Sequence, residues 1–361
     1  MTPAFARLLK RLGRWSGIPV SVVLLVLVVR KAQNLGAARQ ALEAADYRWI
    51  VLAALLYLAT FLPRGVRWGR LLGGVRAIPT LHLSEVLIIG FMANNVLPFR
   101  LGELVRAYTL ARKERVRTTS ALATIVMERV CDGLTLVLAL ALVSVIYPFP
   151  SWVKRVGLVT AALFVGASAF LLLLTYRRDV ARRLVAVPAR RLPSVIGEKA
   201  MNLLDAFDGG LHMLRSPLDA IAVFGLSLLI WAMEFGVYTR VLAAFGGPIQ
   251  HALGHQIPLH DVLLMLIVVN FGIMIPSGPA YIGTFQAAAI AVLAGIVGLD
   301  QPVAFSISWV LWATMVLPVI VLGFLFMARE QLNFGRFVGQ KLDNIVVGDG
   351  PQYGPGGVSR P

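Results

Sequence analysis

Long apolar runs bordered by basic or aromatic residues dominate the chain, and their lengths predict helices that cross a membrane. A crossing helix needs about 20 mostly apolar residues, somewhat fewer where Lys, Arg or aromatic flanks reach the interface. Six runs meet that test: residues 16–29, 48–62, 118–147, 152–176, 218–245 and 302–327. Two more, 81–97 and 261–275, end in polar breaks and then resume as helix-like sequence. The first break reads Asn94-Asn95-Val96-Leu97-Pro98-Phe99-Arg100-Leu101-Gly102-Glu103. The second reads Met274-Ile275-Pro276-Ser277-Gly278-Pro279-Ala280-Tyr281-Ile282-Gly283-Thr284. Proline removes a backbone donor and glycine permits a sharp reversal, so neither break continues as plain helix. The pattern predicts an all-α integral membrane protein with six full spans and two broken hairpins.

Charge orients these segments. Basic residues precede the first run (Arg7, Lys10, Arg11, Arg14), and they cluster at 64–76, 100–117, 177–215 and after Met327, whereas 148–151 and 246–260 carry no Lys or Arg. The positive-inside rule puts the clusters and both termini in the cytoplasm. The assignment closes if 81–111 enters and leaves from the cytoplasm and 261–299 from outside. The two hairpins are then re-entrant and opposed, and residues 16–147 and 152–328 form an inverted repeat. Residues 1–15 become a basic cytoplasmic N-terminus, and 329–361 a cytoplasmic, partly disordered tail. The loop carrying Arg30, Lys31, Arg39 and Arg48 runs against this scheme. A competing arrangement makes each hairpin a pair of short spans or a buried loop, and dissolves the symmetry. The first run also resembles a secretory signal peptide, with signal anchor the preferred reading.

Composition agrees. Hydrophobic residues make up 58% and charged residues 14%, with a mean hydropathy of +0.78, against about one-quarter charged in soluble domains. The net charge of +16 lies beside the apolar runs, which argues against nucleic acid as a partner. Cys131 is the single cysteine, and the five histidines show no metal-ligand spacing, so neither metal nor cofactor is expected. No Walker loop, nucleophile elbow or dinucleotide fingerprint appears.

Charges at hydrocarbon depth cost about 3 kcal/mol each and therefore mark candidate sites. Arg100, Glu103 and Arg106 follow one another at intervals of three, so Glu103 can pair with either arginine while an excess positive charge remains for an anion. Gly102, near a helix start, can offer backbone N–H groups to the same anion. Glu128 and Asp132 share a face of the third span, with Arg129 three before Asp132; they are candidates for pairing with Arg100 or Arg106, for charge balance or for proton coupling. Glu234 is a further candidate. Arg64 and Arg67, beside Trp68 at a predicted helix end, read as interfacial anchors. The second break offers uncharged groups: Asn270, Ser277, Tyr281, Thr284 and Gln286.

The stretch from Met92 to Arg106 resembles the transmembrane, flippase-like domain of the lysylphosphatidylglycerol synthase family, as do Glu128-Arg129 with Asp132 and the break from Pro276 to Gly283. The resemblance covers roughly 18–327. It implies movement of lipids or lipid-linked headgroups between leaflets of the cell (inner or plasma) membrane, with Asn94, Asn95, Pro98, Arg100, Gly102, Glu103, Arg106, Pro276, Ser277, Tyr281 and Gly283 around the substrate. Relatives often carry an acid after the second glycine break, where this chain has Gln286. The aminoacyl-transferase domain of full synthases is missing, so lysylphosphatidylglycerol synthesis is not expected. The leading reading is a flippase for an anionic lipid or lipid-linked headgroup. The alternatives are an integral-membrane lipid-linked transferase and an accessory subunit of a membrane glycosyltransferase. The partners expected besides the lipid are a second copy of the chain or a glycosyltransferase or lipid-synthesis enzyme.

Overall fold

The structure is a computed structural model that describes residues 22–24, 26, 35–73, 77–97, 100–114, 116, 118–189, 217–275 and 277–329. The predicted first span, apart from 22–24 and 26, lies outside them. So do residues 1–15, Pro98, Pro276 and the tail from 330 onward.

Every regular element among the described residues is helical. In chain order they are α1 (Leu35–Glu43), α2 (Tyr47–Ala59), α3 (Phe61–Leu72), α4 (Thr80–Val96), α5 (Gly102–Glu114), α6 (Thr118–Ile146), α7 (Ser151–Tyr176), α8 (Arg178–Ala189), α9 (Pro217–Ala244), α10 (Gly246–Leu253), α11 (Leu259–Gly272), α12 (Thr284–Leu293) and α13 (Gln301–Arg329). Four helical stretches are long and apolar enough to cross a membrane: Tyr47–Leu72, Ser151–Tyr176, Pro217–Ala244 and Gln301–Arg329. At 1.5 Å per residue, α6, with 29 residues, is about 43 Å long and carries its charges well inside its ends.

The first of those stretches corrects the sequence reading, which ended a span at residue 62. Asp46 caps α2 by accepting from the Arg48 N–H at 3.0 Å, and the helix continues through Thr60 into α3. Pro63 does not stop it, because it lies in the first turn of α3, where a missing N–H costs little. Arg64 and Arg67 consequently lie inside a 26-residue stretch and not at its end.

Helices α4 and α11 are apolar on nearly every face and buried along most of their length, as befits helices surrounded by others. α4 packs against α3, α5 and α13; α11 packs against α9 and α12. Gly323 on α13 makes the α4–α13 contact close, since a Cβ there would fall 2.3 Å from Met92 Cβ. α7 differs: Leu158, Val159, Leu163 and Val165 are all exposed. A continuous apolar exterior of this kind suits lipid and would be a liability in water.

Candidate functional site

The two breaks face each other. α4 ends at Val96 and α5 begins at Gly102; between them Arg100 adopts a φ of 53°, in the left-handed region. For a residue with a Cβ this costs on the order of 1–3 kcal/mol and persists where the surroundings enforce it. The resulting direction carries the side chain to the second break. Arg100 Nη2 donates to the Ile273 carbonyl at 3.0 Å, and its Cζ lies 5.4 Å from the Tyr281 ring centroid. Ile273 follows the last residue of α11, so a cation meets the negative end of that helix.

The second break is strained as well. Ala280 and Tyr281 have φ of 53° and 59°, and Gly283 has 93°. The 3-10 turn Pro279–Tyr281 rests on α4. Trp312 of α13 donates from Nε1 to the Ala280 carbonyl at 2.8 Å, the Gly283 N–H donates to Gln286 Oε1 at 2.8 Å, and Thr284 Oγ1 donates to the Tyr281 carbonyl at 3.0 Å. Gln286 thus shapes the turn from inside. Trp312→Phe keeps the ring and removes the donor; it is expected to lower stability by about 1 kcal/mol and to speed hydrogen exchange at the Tyr281 and Ile282 amides, while amides of α7 stay unchanged.

Beside this junction α3, α5, α6 and α9 assemble a chain of alternating charges. Arg67 is fully buried and central: Nη1 lies 2.5 Å from Asp132 Oδ1 and donates to Ser227 Oγ at 2.8 Å, while Nη2 lies 3.3 Å from Asp132 Oδ2 and 3.4 Å from Glu128 Oε1. Glu128 Oε2 lies 2.5 Å from Arg106 Nη1. At the other end Arg129 Nη2 lies 3.4 Å from Asp132 Oδ2, and its Nε is 4.0 Å from Glu103 Oε1. Arg64 of α3 pairs with Glu234 of α9 in a separate buried contact. Helical spacing makes this possible: Arg64 and Arg67 are three apart, Glu128 and Asp132 four apart, so each pair shares a face.

The structure brings Arg106, Glu128, Arg129, Asp132 and Glu103 together. Arg106 takes Glu128, one of the pairings the charge spacing allowed, whereas Glu103, expected beside Arg100 or Arg106, is partly exposed and neighbours Arg129. The larger correction is Arg67, expected as an anchor and found as the hub. Asn95 is half-buried at the end of α4, and Ser277 is buried in the second break.

Arg106 has an unfilled side. Its Cζ lies 3.6 Å from the Trp68 ring centroid, and Trp68 is held by a 3.0 Å bond from Nε1 to Thr124 Oγ1. Nη1 serves Glu128. Nε and Nη2 are sealed from solvent and have no hydrogen-bond partner among the described residues; Asn94 Oδ1 is in the same condition. Both residues lie along the close seam between α4 and α5: a Cβ at Gly102 would lie 2.6 Å from Asn94 Oδ1, and one at Gly90 would lie 2.9 Å from Arg106 Cβ.

The family model for the lysylphosphatidylglycerol synthase TM region matches residues 14–323. The chain belongs to this family. Two UPF0104 membrane proteins of Methanothermobacter thermautotrophicus are similar to it. One is 23% identical over 260 residues, covering 67% of this chain and 75% of the relative; the other is 25% identical over 276 residues, covering 72% and 77%. No solved structure matches. The match to the lysylphosphatidylglycerol synthase TM region contains both breaks and every member of the charge chain.

Proposed function

We propose that the chain moves an anionic lipid, or the anionic headgroup of a lipid-linked molecule, between membrane leaflets, holding it at Arg106 and Arg100. The buried, unfilled Nε–Nη2 edge of Arg106 carries this reading. Those two N–H groups point the same way and match two oxygens of one phosphate, and leaving them buried without a partner costs about 1–3 kcal/mol or more. Arg100 supplies the charge. Five arginines (Arg64, Arg67, Arg100, Arg106, Arg129) stand against four carboxylates (Glu103, Glu128, Asp132, Glu234), a formal excess of one. Among the described residues Arg100 meets a carbonyl and a ring but no carboxylate. One phosphodiester would balance it.

Because the Arg106 edge is sealed, a headgroup reaches it when the helices part. In this reading α4–α5 and α11–α12 are re-entrant hairpins from opposite sides of the cell membrane, both termini are cytoplasmic, and two halves rock around the site. Matching contacts support a repeat: α4 packs on α5 and α5 on α6, just as α11 packs on α12 and α12 on α13, while α2 and α9 pack on each other. Vesicles containing the purified protein, with labelled phosphatidylglycerol and labelled phosphatidylcholine in one leaflet, test the proposal. Wild type is expected to speed exchange of the anionic lipid, and Arg106→Gln, which leaves Glu128 paired with Arg67, is expected to slow it about tenfold or more. An equal rate for the folded variant, or no exchange by folded wild type, would sink the reading.

A further inference from the structure

The four carboxylates are not equivalent, and the difference separates one from the anion site. Glu128 lies between Arg67 and Arg106, and Asp132 between Arg67 and Arg129, so each contacts two guanidinium groups. Glu103 is partly exposed. Glu234 is buried and its contact is with Arg64 alone among the described guanidinium groups. The field that keeps a carboxylate ionised away from water is supplied by its cations, so Glu234 has the least support of the three buried acids.

The helices packed on α9 bring Arg64 and, farther off, Arg67 from α3, Tyr57 from α2, and Asp132 with Arg129 from α6 into the field of Glu234. α10, α11 and α13 contribute titratable groups only near their ends: His251, His260 with Asp261, and Arg329. One turn along α9, the Tyr238 hydroxyl is fully buried and has no hydrogen-bond partner among the described residues. A hydroxyl at that spacing shares the helical face of Glu234.

We infer that Glu234 is a proton-binding site coupled to anion binding, so that the protein carries a proton together with the anionic headgroup. This rests on the transport reading above. When Glu234 takes up a proton its carboxylate becomes a neutral acid, and Arg64 keeps its charge while losing its counter-ion. Arg64 is then left with Thr60 Oγ1 at 3.5 Å and the Phe91 ring, whose centroid is 5.3 Å away. The formal excess in the cluster rises from one positive charge to two, which strengthens anion binding, and by reciprocity a bound anion favours the proton. The headgroup therefore loads from the acidic side and leaves on the alkaline side.

Two measurements on the full chain test this. In vesicles with an imposed pH gradient, wild type is expected to move labelled phosphatidylglycerol about tenfold faster from the acidic than from the alkaline leaflet, with proton entry registered by an internal pH dye. Glu234→Gln is expected to exchange the lipid equally both ways, and Glu234→Asp to keep the bias. A bias of wild-type size in Glu234→Gln, or none in a wild type that does exchange lipid, overturns the inference. The second measurement needs no transport: infrared difference spectra of the detergent-solubilised protein on lowering pH are expected to show a protonated-carboxyl band in wild type that is missing in Glu234→Gln. If that band is absent from wild type the inference fails whatever the vesicles give. If it is present and no lipid moves, lipid transport is the part that fails.

Discussion

Replacing Arg67 by Ala is expected to give the largest loss of stability of any single change in the charge chain, about 3–5 kcal/mol, the usual result of removing one partner from a buried ion pair. The substitution takes one guanidinium from two acids at once. Asp132 would keep Arg129 at 3.4 Å and Glu128 would keep Arg106, but the two carboxylates, four residues apart on α6, would face each other across an empty site. Ser227 Oγ would lose its donor too. Adding Asp132→Asn to an Arg67→Leu variant removes both charges and is expected to recover a large part of the loss, because a pair deleted together leaves less uncompensated charge than a pair broken. Glu103→Gln, at a partly exposed 4.0 Å contact, is expected to shift stability by no more than about 1 kcal/mol. Thermal unfolding in one detergent, followed by loss of monodispersity, ranks the three. An Arg67→Ala protein that melts with wild type would show that the chain of charges is decoration.

Arg67 also marks the limit of what the sequence discloses. An arginine beside a tryptophan after an apolar run is the ordinary mark of a helix leaving the membrane, and Leu62-Pro63 looks like the end of that helix. The stop fails for a local reason, since proline in a first turn is tolerated, and the consequence is global because it draws two arginines into the bundle. A usable signal was present in the count of charges. Three carboxylates in two apolar spans, Glu128, Asp132 and Glu234, require buried cations, and Arg64 and Arg67 have the three-residue spacing that meets acids on facing helices. The hydrophobic runs did disclose the helices, and the breaks were recognisable from proline and glycine. The direction taken by Arg100 was not, because a positive φ at arginine is imposed by what surrounds it: the Ile273 carbonyl and the Tyr281 ring are 173 and 181 positions away along the chain. The free edge of Arg106 is likewise a property of which neighbours are absent, something no spacing records.

Gly102→Ala is expected to disable both folding and lipid movement, although it adds a single methyl group to the first residue of a helix. Its Cβ would fall 2.0 Å from the Gly90 carbonyl oxygen, 2.5 Å from the Asn94 backbone nitrogen and 2.6 Å from Asn94 Oδ1. The first two are backbone atoms of α4, itself fixed between α3, α5 and α13, so the strain cannot be relieved by turning a side chain. α5 must move away by on the order of 1 Å, and overpacking of this kind costs about 1–3 kcal/mol or more. Alanine's better helix propensity returns at most about 1 kcal/mol, so the clash wins. The displacement also acts on the site. Arg106 lies one turn after Gly102, and moving its backbone pulls the guanidinium off the Trp68 face and away from Glu128. Gly225→Ala is the matched control, the same change inside α9 where no atom lies within 4 Å of the new Cβ; it is expected to be neutral or slightly stabilising. If Gly102→Ala matched Gly225→Ala in melting temperature and in lipid exchange, the close seam between α4 and α5 would have no part in holding Arg106. A lower melting temperature together with slowed exchange for Gly102→Ala alone would tie both to that contact.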